Sequence, residues 1–246
     1  MTTFGLSYWG RCRETAERDF ARAAEVGFSW VCLPCSEERM AFDHAGTKGI
    51  VATAKAAGLE THVSPWGICG WFGGEGVVGR RGVDGAMWWL DRAVALDPDG
   101  LLWDEPLGVH GPAALELLSL ACPLPQHVYL NPKTGVAPDT ATLCRMAGIG
   151  IDCYGVPWIV AVDRAADLEA EHGKPVHVWV KAHKLAAHES GWPGETVDFL
   201  AGCGVRDIGV WGHPAPGMSV LDCAEPHVVW AGVEAAVMAC RAGVAA

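Results

Sequence analysis

The sequence predicts an α/β fold, a single (β/α)8 TIM barrel over residues 1–246 with a long Gly-rich loop after the third strand. Three observations predict it. Short apolar strand candidates alternate with amphipathic helix candidates eight times. The turns from helix back to strand span only a few residues, and several carry a glycine. The 246-residue length fits one closed barrel, since α/β barrels routinely run to about 250 residues as a single domain.

The expected strands are 3–9, 28–34, 59–66, 100–105, 126–131, 149–154, 175–181 and 206–211. The expected helices are 13–26, 44–57, 86–96, 111–121, 138–147, 159–172, 194–203 and 225–241. Gly27, Gly58, Gly148, Gly173 and Gly204 each fall between a helix and the next strand, where glycine supplies a left-handed cap. Strict alternation means parallel strands with crossover helices, and eight units favour closure over an open sheet. An open doubly wound sheet would show a Gly-rich turn after its first strand. Trp9-Gly10-Arg11-Cys12 stands there instead.

Composition narrows the function classes. Eighteen Lys and Arg against 29 Asp and Glu give a net charge of −11, with a pI near 5.3. Nucleic acid and anionic membranes need basic surface, so neither is an expected partner. Half of the residues are hydrophobic, which excludes disorder. The start MTTFGLSYWGRCRE has no basic segment followed by an apolar run, and no stretch reaches the length of a membrane span. The expectation is a cytoplasmic protein whose ten cysteines are thiols. Cys32 and Cys35 alone have C-x-x-C spacing, and no second Cys or His pair follows at the distance a zinc site needs. They read as core thiols, with a redox or metal pair as the alternative. No cofactor or metal site is expected.

Strand parity then sorts side chains. The expected lumen-facing residues are His62, Ser64 and Trp66 on the third strand, and Trp103 and Glu105 on the fourth, with Leu102 facing out. The fifth contributes His127, Tyr129 and Asn131, the sixth Asp152 and Tyr154, the seventh His177, Trp179 and Lys181, and the eighth Trp211 and His213. At the carboxyl-terminal mouth, where barrel active sites sit, this gathers Trp66, Glu105, Asn131, Asp152, Tyr154, Lys181, Trp211 and His213.

Trp103-Asp104-Glu105-Pro106 closes the fourth strand with two adjacent acids, which are costly to bury unless paired or used. Asp152 ends an otherwise apolar strand two positions round. Two carboxylates across a sugar-sized gap are the usual apparatus for cleaving a glycosidic bond, one donating a proton and the other attacking or activating water. Glu105, between Trp103 and Pro106, is the expected acid, with Asp152 or Asp104 as its partner.

At Asp104-Glu105-Pro106 the sequence resembles the glycoside hydrolases of the large (β/α)8 clan that carries its acid/base Glu at the end of strand 4, where Asn-Glu-Pro or a close relative stands. The resemblance implies Glu105 as acid/base and Asp104 as a substrate contact beside it. That clan's nucleophile, a Glu ending strand 7, has no counterpart: Lys181 ends this strand, and the nearest acid is Glu189 in the following loop. The retaining mechanism is therefore not carried over. By position, Asp104 and Asp152 are also similar to the Asp pair at strands 4 and 6 of the retaining α-galactosidase-like clan.

Twelve tryptophans against three tyrosines and six phenylalanines fit the same reading, because the apolar face of a pyranose packs on indole rings. Trp9, Trp66, Trp71, Trp158, Trp179 and Trp211 lie at or just past strand ends. Trp88, Trp89 and Trp230 fall in helices and read as packing. The expected substrate contacts are Trp9, His62, Trp66, Trp71, Asn131, Tyr154, Trp179, Lys181, Trp211 and His213. Segment 65–85 has eight glycines and no phosphate-loop Lys-Ser/Thr. It reads as a lid over the mouth, with Glu75 as a third carboxylate and Arg80-Arg81 as a local positive pair.

Three rival functions fit parts of this pattern. A divalent-metal sugar isomerase or epimerase would draw ligands from Glu105, Asp152, His62, His177 and His213. A Schiff-base lyase would use Lys181. A non-catalytic sugar-binding barrel would keep the tryptophans alone. The expected function is a glycosidase-like hydrolase acting on a small carbohydrate or glycosylated molecule.

Overall fold

The computed structural model describes residues 2–65, 82–104, 111–130, 139–213 and 223–243, with the side chains of 82, 83, 111–114 and 213 excepted. Eight parallel strands close into one barrel in sequence order, β1 beside β8. They are β1 (Thr3–Tyr8), β2 (Trp30–Pro34), β3 (Glu60–Ser64), β4 (Gly100–Asp104), β5 (Gln126–Leu130), β6 (Gly148–Asp152), β7 (Val176–Lys181) and β8 (Asp207–His213). The helices among the described residues are α1 (Arg13–Val26), α2 (Glu37–Phe42), α3 (His44–Ala56), α4 (Gly82–Ala95), α5 (Gly111–Ala121), α6 (Thr140–Arg145), α7 (Trp158–His172), α8 (Trp192–Gly202) and α9 (Pro226–Arg241). A 3-10 turn at Ala187–Glu189 precedes α8. The expected (β/α)8 fold is therefore the observed one.

The two faces of the closed sheet build separate apolar clusters. Outside, Phe4, Leu6, Val31, Leu33, Val128, Ile149, Val178 and Ile208 meet the helices in one continuous core. Inside, Trp30, Cys32, Leu102, Tyr129 and Trp179 pack together, with Tyr154 and Trp211 against them. Burying the outer set supplies most of the stabilisation, at about 25 cal/mol per Å2 of apolar surface removed from water. Strand 1 slips in register against β8 between Leu6 and Tyr8. The extra residue is on β8, so β1 keeps its alternation: Phe4, Leu6 and Tyr8 face out, Tyr8 against Phe20 of α1, while Ser7 accepts from Gly212 N–H at 2.8 Å.

Glycine serves two distinct purposes here. Gly27 and Gly173 end α1 and α7 with φ of 117° and 62°, a region costly for any residue with a Cβ. Gly148 departs from the expected cap. It is the first residue of β6, and α6 ends instead at Met146 in an extended conformation. A Cβ at Gly148 would press on the His127 ring, so this glycine supplies space.

Three further departures have local causes. The α2 helix was not anticipated, being one short turn and a half. Its Ser36 cap accepts from Arg39 N–H at 3.2 Å, and Glu37 and Glu38 suit the positive end of its dipole. Helix α4 begins at Gly82, inside the segment read as a loop, and the remainder of the expected lid lies outside the described residues, with Glu75, Arg80 and Arg81. The third departure is the parity of β4. Leu102 is in the lumen, whereas Trp103 points outward, stacking near Trp89 of α4 with centroids 6.0 Å apart. Its Nε1–H donates to Gln126 Oε1 at 2.9 Å, which holds it there.

Arg39 ties this end of the barrel together. Its buried guanidinium donates to Thr47 Oγ1, to the Pro34 carbonyl and to the Gly10 carbonyl at 3.0–3.3 Å. One side chain thus links the segment after β1, the end of β2 and α3.

Candidate functional site at the barrel mouth

The parity of β4 decides which acid enters the mouth. With Leu102 inside, the next lumen position on β4 is Asp104, paired in register with Tyr129. Its charge reaches the buried Cys32 thiol in the lumen, raising that thiol further above its usual range, after desolvation. The expectation that Leu102 faces out and Trp103 in is thus corrected. Three consecutive apolar residues precede Asp104, so alternation alone had two solutions. Glu105 lies outside the described residues, as do Trp66, Trp71 and Asn131. The backbone of His213 ends β8, and its side chain lies outside as well.

Asp152, at the end of β6, is buried, with 3% of its surface exposed. One carboxylate oxygen accepts from Tyr129 O–H at 2.6 Å, and the other accepts from Tyr154 N–H at 3.1 Å. The short phenol bond is of the charge-assisted kind. Tyr129 stands on β5 between β4 and β6, so a single tyrosine spans the interval between the strands that carry Asp104 and Asp152. Sequence parity placed Tyr129 inward but gave it no role. Its partner is visible only once strand register is known.

The tryptophans of the mouth form a column rather than an open platform. Trp9, Trp211, Trp179 and Trp30 meet edge to face in succession, with centroids 5.7, 5.2 and 5.3 Å apart. Such contacts use the positive ring edge against the negative face of the next ring. Trp179 is fully buried and Trp9 nearly so, its Nε1–H donating to Ser7 Oγ at 3.3 Å. Neither offers a free ring face in this structure, which corrects the expectation that both present one to substrate. Trp211, between Trp9 and Trp179 in the column, is half-buried.

Lys181 ends β7 beside Trp211 in register. With Tyr154, Trp158, Glu189 and Trp192 it lines a cavity of about 270 Å3. Among the described residues Lys181 has no ion pair. Glu189, the nearest acid along the chain, uses its carboxylate to accept from Ala186 N–H at 2.8 Å, which closes the 3-10 turn. His62 does not reach the mouth. It pairs in register with Gly100, the first residue of β4, and lies in the amino-terminal half of the lumen. The expectation that it is a substrate contact at the mouth is corrected by that register.

The C-x-x-C pair is separated by the sheet. Cys32 faces the lumen, and Cys35 packs in the outer core against the helices. Burial raises both thiols, Cys35 to about 11. All the described cysteines are free. Among the described residues, no group of three His, Cys, Asp or Glu is placed to hold a metal ion, and no helix is long and apolar enough to cross a membrane.

The class that these features define is a (β/α)8 barrel with a polar, carboxylate-bearing mouth. No protein-family model matches the chain, and no curated protein matches it. Solved structures do. A GH113 β-1,4-mannanase is similar with a TM-score of 0.66 at 10% identity, covering 97% of both chains. A truncated 3-deoxy-D-arabino-heptulosonate 7-phosphate synthase from Thermotoga maritima is similar at 0.62 and 12% identity, covering 98% of this chain and 86% of that one. A GH30 endoxylanase from Clostridium papyrosolvens C71 is similar at 0.58 and 10% identity, covering 93% and 70%. At such identities the likeness is one of fold, and the fold hosts both hydrolases and synthases.

Proposed function

We propose that this barrel is a glycosidase-like enzyme that cleaves a glycosidic bond at its carboxyl-terminal mouth. The observation that carries this reading is the anchored carboxylate of Asp152, held by Tyr129 and the Tyr154 backbone two strands from the lumen-facing Asp104. Both bonds to Asp152 are accepted ones, so its geometry suits a base or nucleophile, not a proton donor. The proton for the leaving oxygen then comes from the Asp104-Glu105 pair at the end of β4. Trp211 and Tyr154 supply aromatic surface beside these groups, and Lys181 binds a hydroxyl or acidic substituent.

The proposed pair differs from the β4–β7 pair of the clan that the Asp-Glu-Pro tripeptide resembles. With Lys181 on β7, the second carboxylate falls to β6. A panel of aryl glycosides tests this. Release of the aryl group by the wild-type protein, lost in Asp152→Asn and in the Asp104→Asn/Glu105→Gln double variant, supports it. Turnover unchanged in both variants refutes it.

One observation favours a second reading. Lys181 has no ion pair among the described residues and borders a cavity, which suits a Schiff-base lysine. Borohydride trapping with a carbonyl substrate, abolished in Lys181→Met, would support that chemistry over hydrolysis.

A further inference from the structure

The cavity of about 270 Å3 beside Lys181 lies between the carboxyl-terminal ends of β6 and β7 and the first turns of α7 and α8. It adjoins the proposed catalytic carboxylate along the chain. Asp152 ends β6, and the next two residues, Cys153 and Tyr154, line the cavity. Tyr154 serves both places, since its N–H donates to Asp152 at 3.1 Å while the residue borders the cavity. A ligand seated here is therefore within one residue's reach of the mouth.

Three aromatic residues border this space from different elements. Tyr154 stands after β6, Trp158 opens α7 and Trp192 opens α8. The Trp158 ring packs beside Phe199 of α8, with centroids 5.6 Å apart. Thr196 O–H donates to the Trp192 carbonyl at 2.6 Å, which firms the first turn of α8. Trp192 nonetheless keeps 47% of its surface exposed. Leaving a large ring in water forgoes hydrophobic stabilisation. Beside a concave pocket with polar groups, such a ring is the usual furniture of a small-molecule site.

The charged groups of the cavity are one of each sign. Lys181 brings an ammonium donor with no ion pair among the described residues, and Glu189 brings a carboxylate acceptor. The Glu189 carboxylate accepts from Ala186 N–H at 2.8 Å, which holds it in place and leaves acceptor capacity over. With one charge of each sign the lining favours neither an anion nor a cation. It suits a neutral ligand that both donates and accepts, as a hydroxyl does. Size agrees. A cavity of about 150 Å3 holds benzene, a ring of six carbons. This one has nearly twice that volume, room for one pyranose with its hydroxyls.

We propose that this cavity is a second sugar subsite, so that the substrate is a di- or oligosaccharide whose next unit sits between α7 and α8. The apolar face of that unit lies against Trp192. Its hydroxyls accept from Lys181 and donate to Glu189. The cleavage of the substrate rests on the glycosidase reading of the mouth, whereas the subsite is a matter of binding and stands without turnover. A zwitterionic amino acid would also offer one charge to each of Lys181 and Glu189. Continuity with Asp152 through Tyr154 favours the sugar.

The test is calorimetric titration of the whole protein with β-1,4 thio-linked glucobiose, mannobiose and xylobiose, whose sulfur linkage resists hydrolysis. The matching methyl monoglycosides are the short controls, and phenylalanine is the zwitterion arm. Saturable one-to-one binding of at least one disaccharide is expected, about tenfold or more tighter than its monoglycoside. Trp192→Ala should weaken disaccharide binding about three- to tenfold, as loss of one aromatic contact does. Glu189→Gln, whose amide oxygen still accepts from Ala186 N–H, keeps the test open if Trp192→Ala fails to fold, and should weaken binding several-fold. Three results overturn the proposal: no disaccharide bound more tightly than its monoglycoside, affinity unchanged in every variant that folds, or phenylalanine bound where no disaccharide is. Disaccharide binding that depends on Trp192, in a protein that releases no aryl group from any glycoside, would keep the subsite and refute the hydrolase reading. Aryl release with no preference for a disaccharide would do the reverse.

Discussion

The two ends of this barrel lumen are furnished in opposite ways. At the carboxyl-terminal mouth, Asp152 is fully provided with donors, from Tyr129 and the Tyr154 backbone. At the amino-terminal end, imidazole nitrogens are buried with none. Between them the indoles of Trp30, Trp179 and Trp211 fill the axis. The contrast teaches that lumen polarity has two uses. A satisfied carboxylate is pre-oriented for chemistry, whereas imidazoles laid over the glycines of neighbouring strands pack the floor of the barrel.

The largest expected break in this comparison is at the mouth. Asp152→Asn keeps the side-chain volume and removes the charge, and the turnover of an aryl glycoside should fall by about 10^2-fold or more, the scale of general acid–base catalysis. The converse variant, Asp207→Asn, should leave turnover near wild type. Measuring turnover in both variants shows whether the two ends are independent.

Packing at the amino-terminal end gives the next effect. A Cβ at Gly150 would overlap His177 Nε2, so the ring, packed beside Trp179 and His127, would have to shift. Gly150→Val should cost about 1–3 kcal/mol or more, the range for overpacking a core. A lowered urea midpoint with an unchanged m-value would register it. The same substitution at exposed Gly202, a helical position where a Cβ meets nothing within 4 Å, should shift stability by less than about 1 kcal/mol and in the favourable direction, because valine has the higher helix propensity.

Acid should act on the same layer. His127 and His177 have folded pKa values below the 6.5 of the unfolded chain. Above about pH 6.5 both states are neutral at these positions, and they add no pH dependence. As pH falls from 6.5 towards 4, the unfolded chain takes up protons that the folded barrel refuses, so stability decreases over that window. The His127 contribution levels off below about pH 4. Urea midpoints measured across this range should fall, and His127→Gln should flatten the slope. A smaller effect belongs to the mouth: Trp211→Ala should weaken sugar binding by about 0.5–1.5 kcal/mol, the worth of one aromatic contact beyond its area, as measured by calorimetry.

Most of the barrel was legible in the sequence, because each strand is bounded by turn residues and five of the six strands sorted by parity carry a workable alternation. Val176, Val178 and Val180 against His177, Trp179 and Lys181 is the clearest case. Strand 4 failed for a physical reason. Leu101, Leu102 and Trp103 are all apolar, so only the partner of Trp103, the Gln126 amide on the next strand, decides its direction. Gly148 failed likewise, since cap and space-filler look identical until His127 is seen beside it. Among the described candidates, His62, Asp152, Trp179 and Trp211 were legible as lumen-facing, but not by their depth. Register alone sends His62 to the amino-terminal end and Asp152 to the mouth. The exposure of Trp9 and Trp179 was not legible either, because it depends on how four indoles from different strands meet.

The most direct test of the catalytic mouth is turnover of a panel of aryl glycosides by wild type and Asp152→Asn, with folding of both verified by circular dichroism. Aryl release by wild type, reduced about 10^2-fold or more in the variant, is the predicted result. No release from any glycoside by the wild-type protein, or equal release by both proteins, would contradict it.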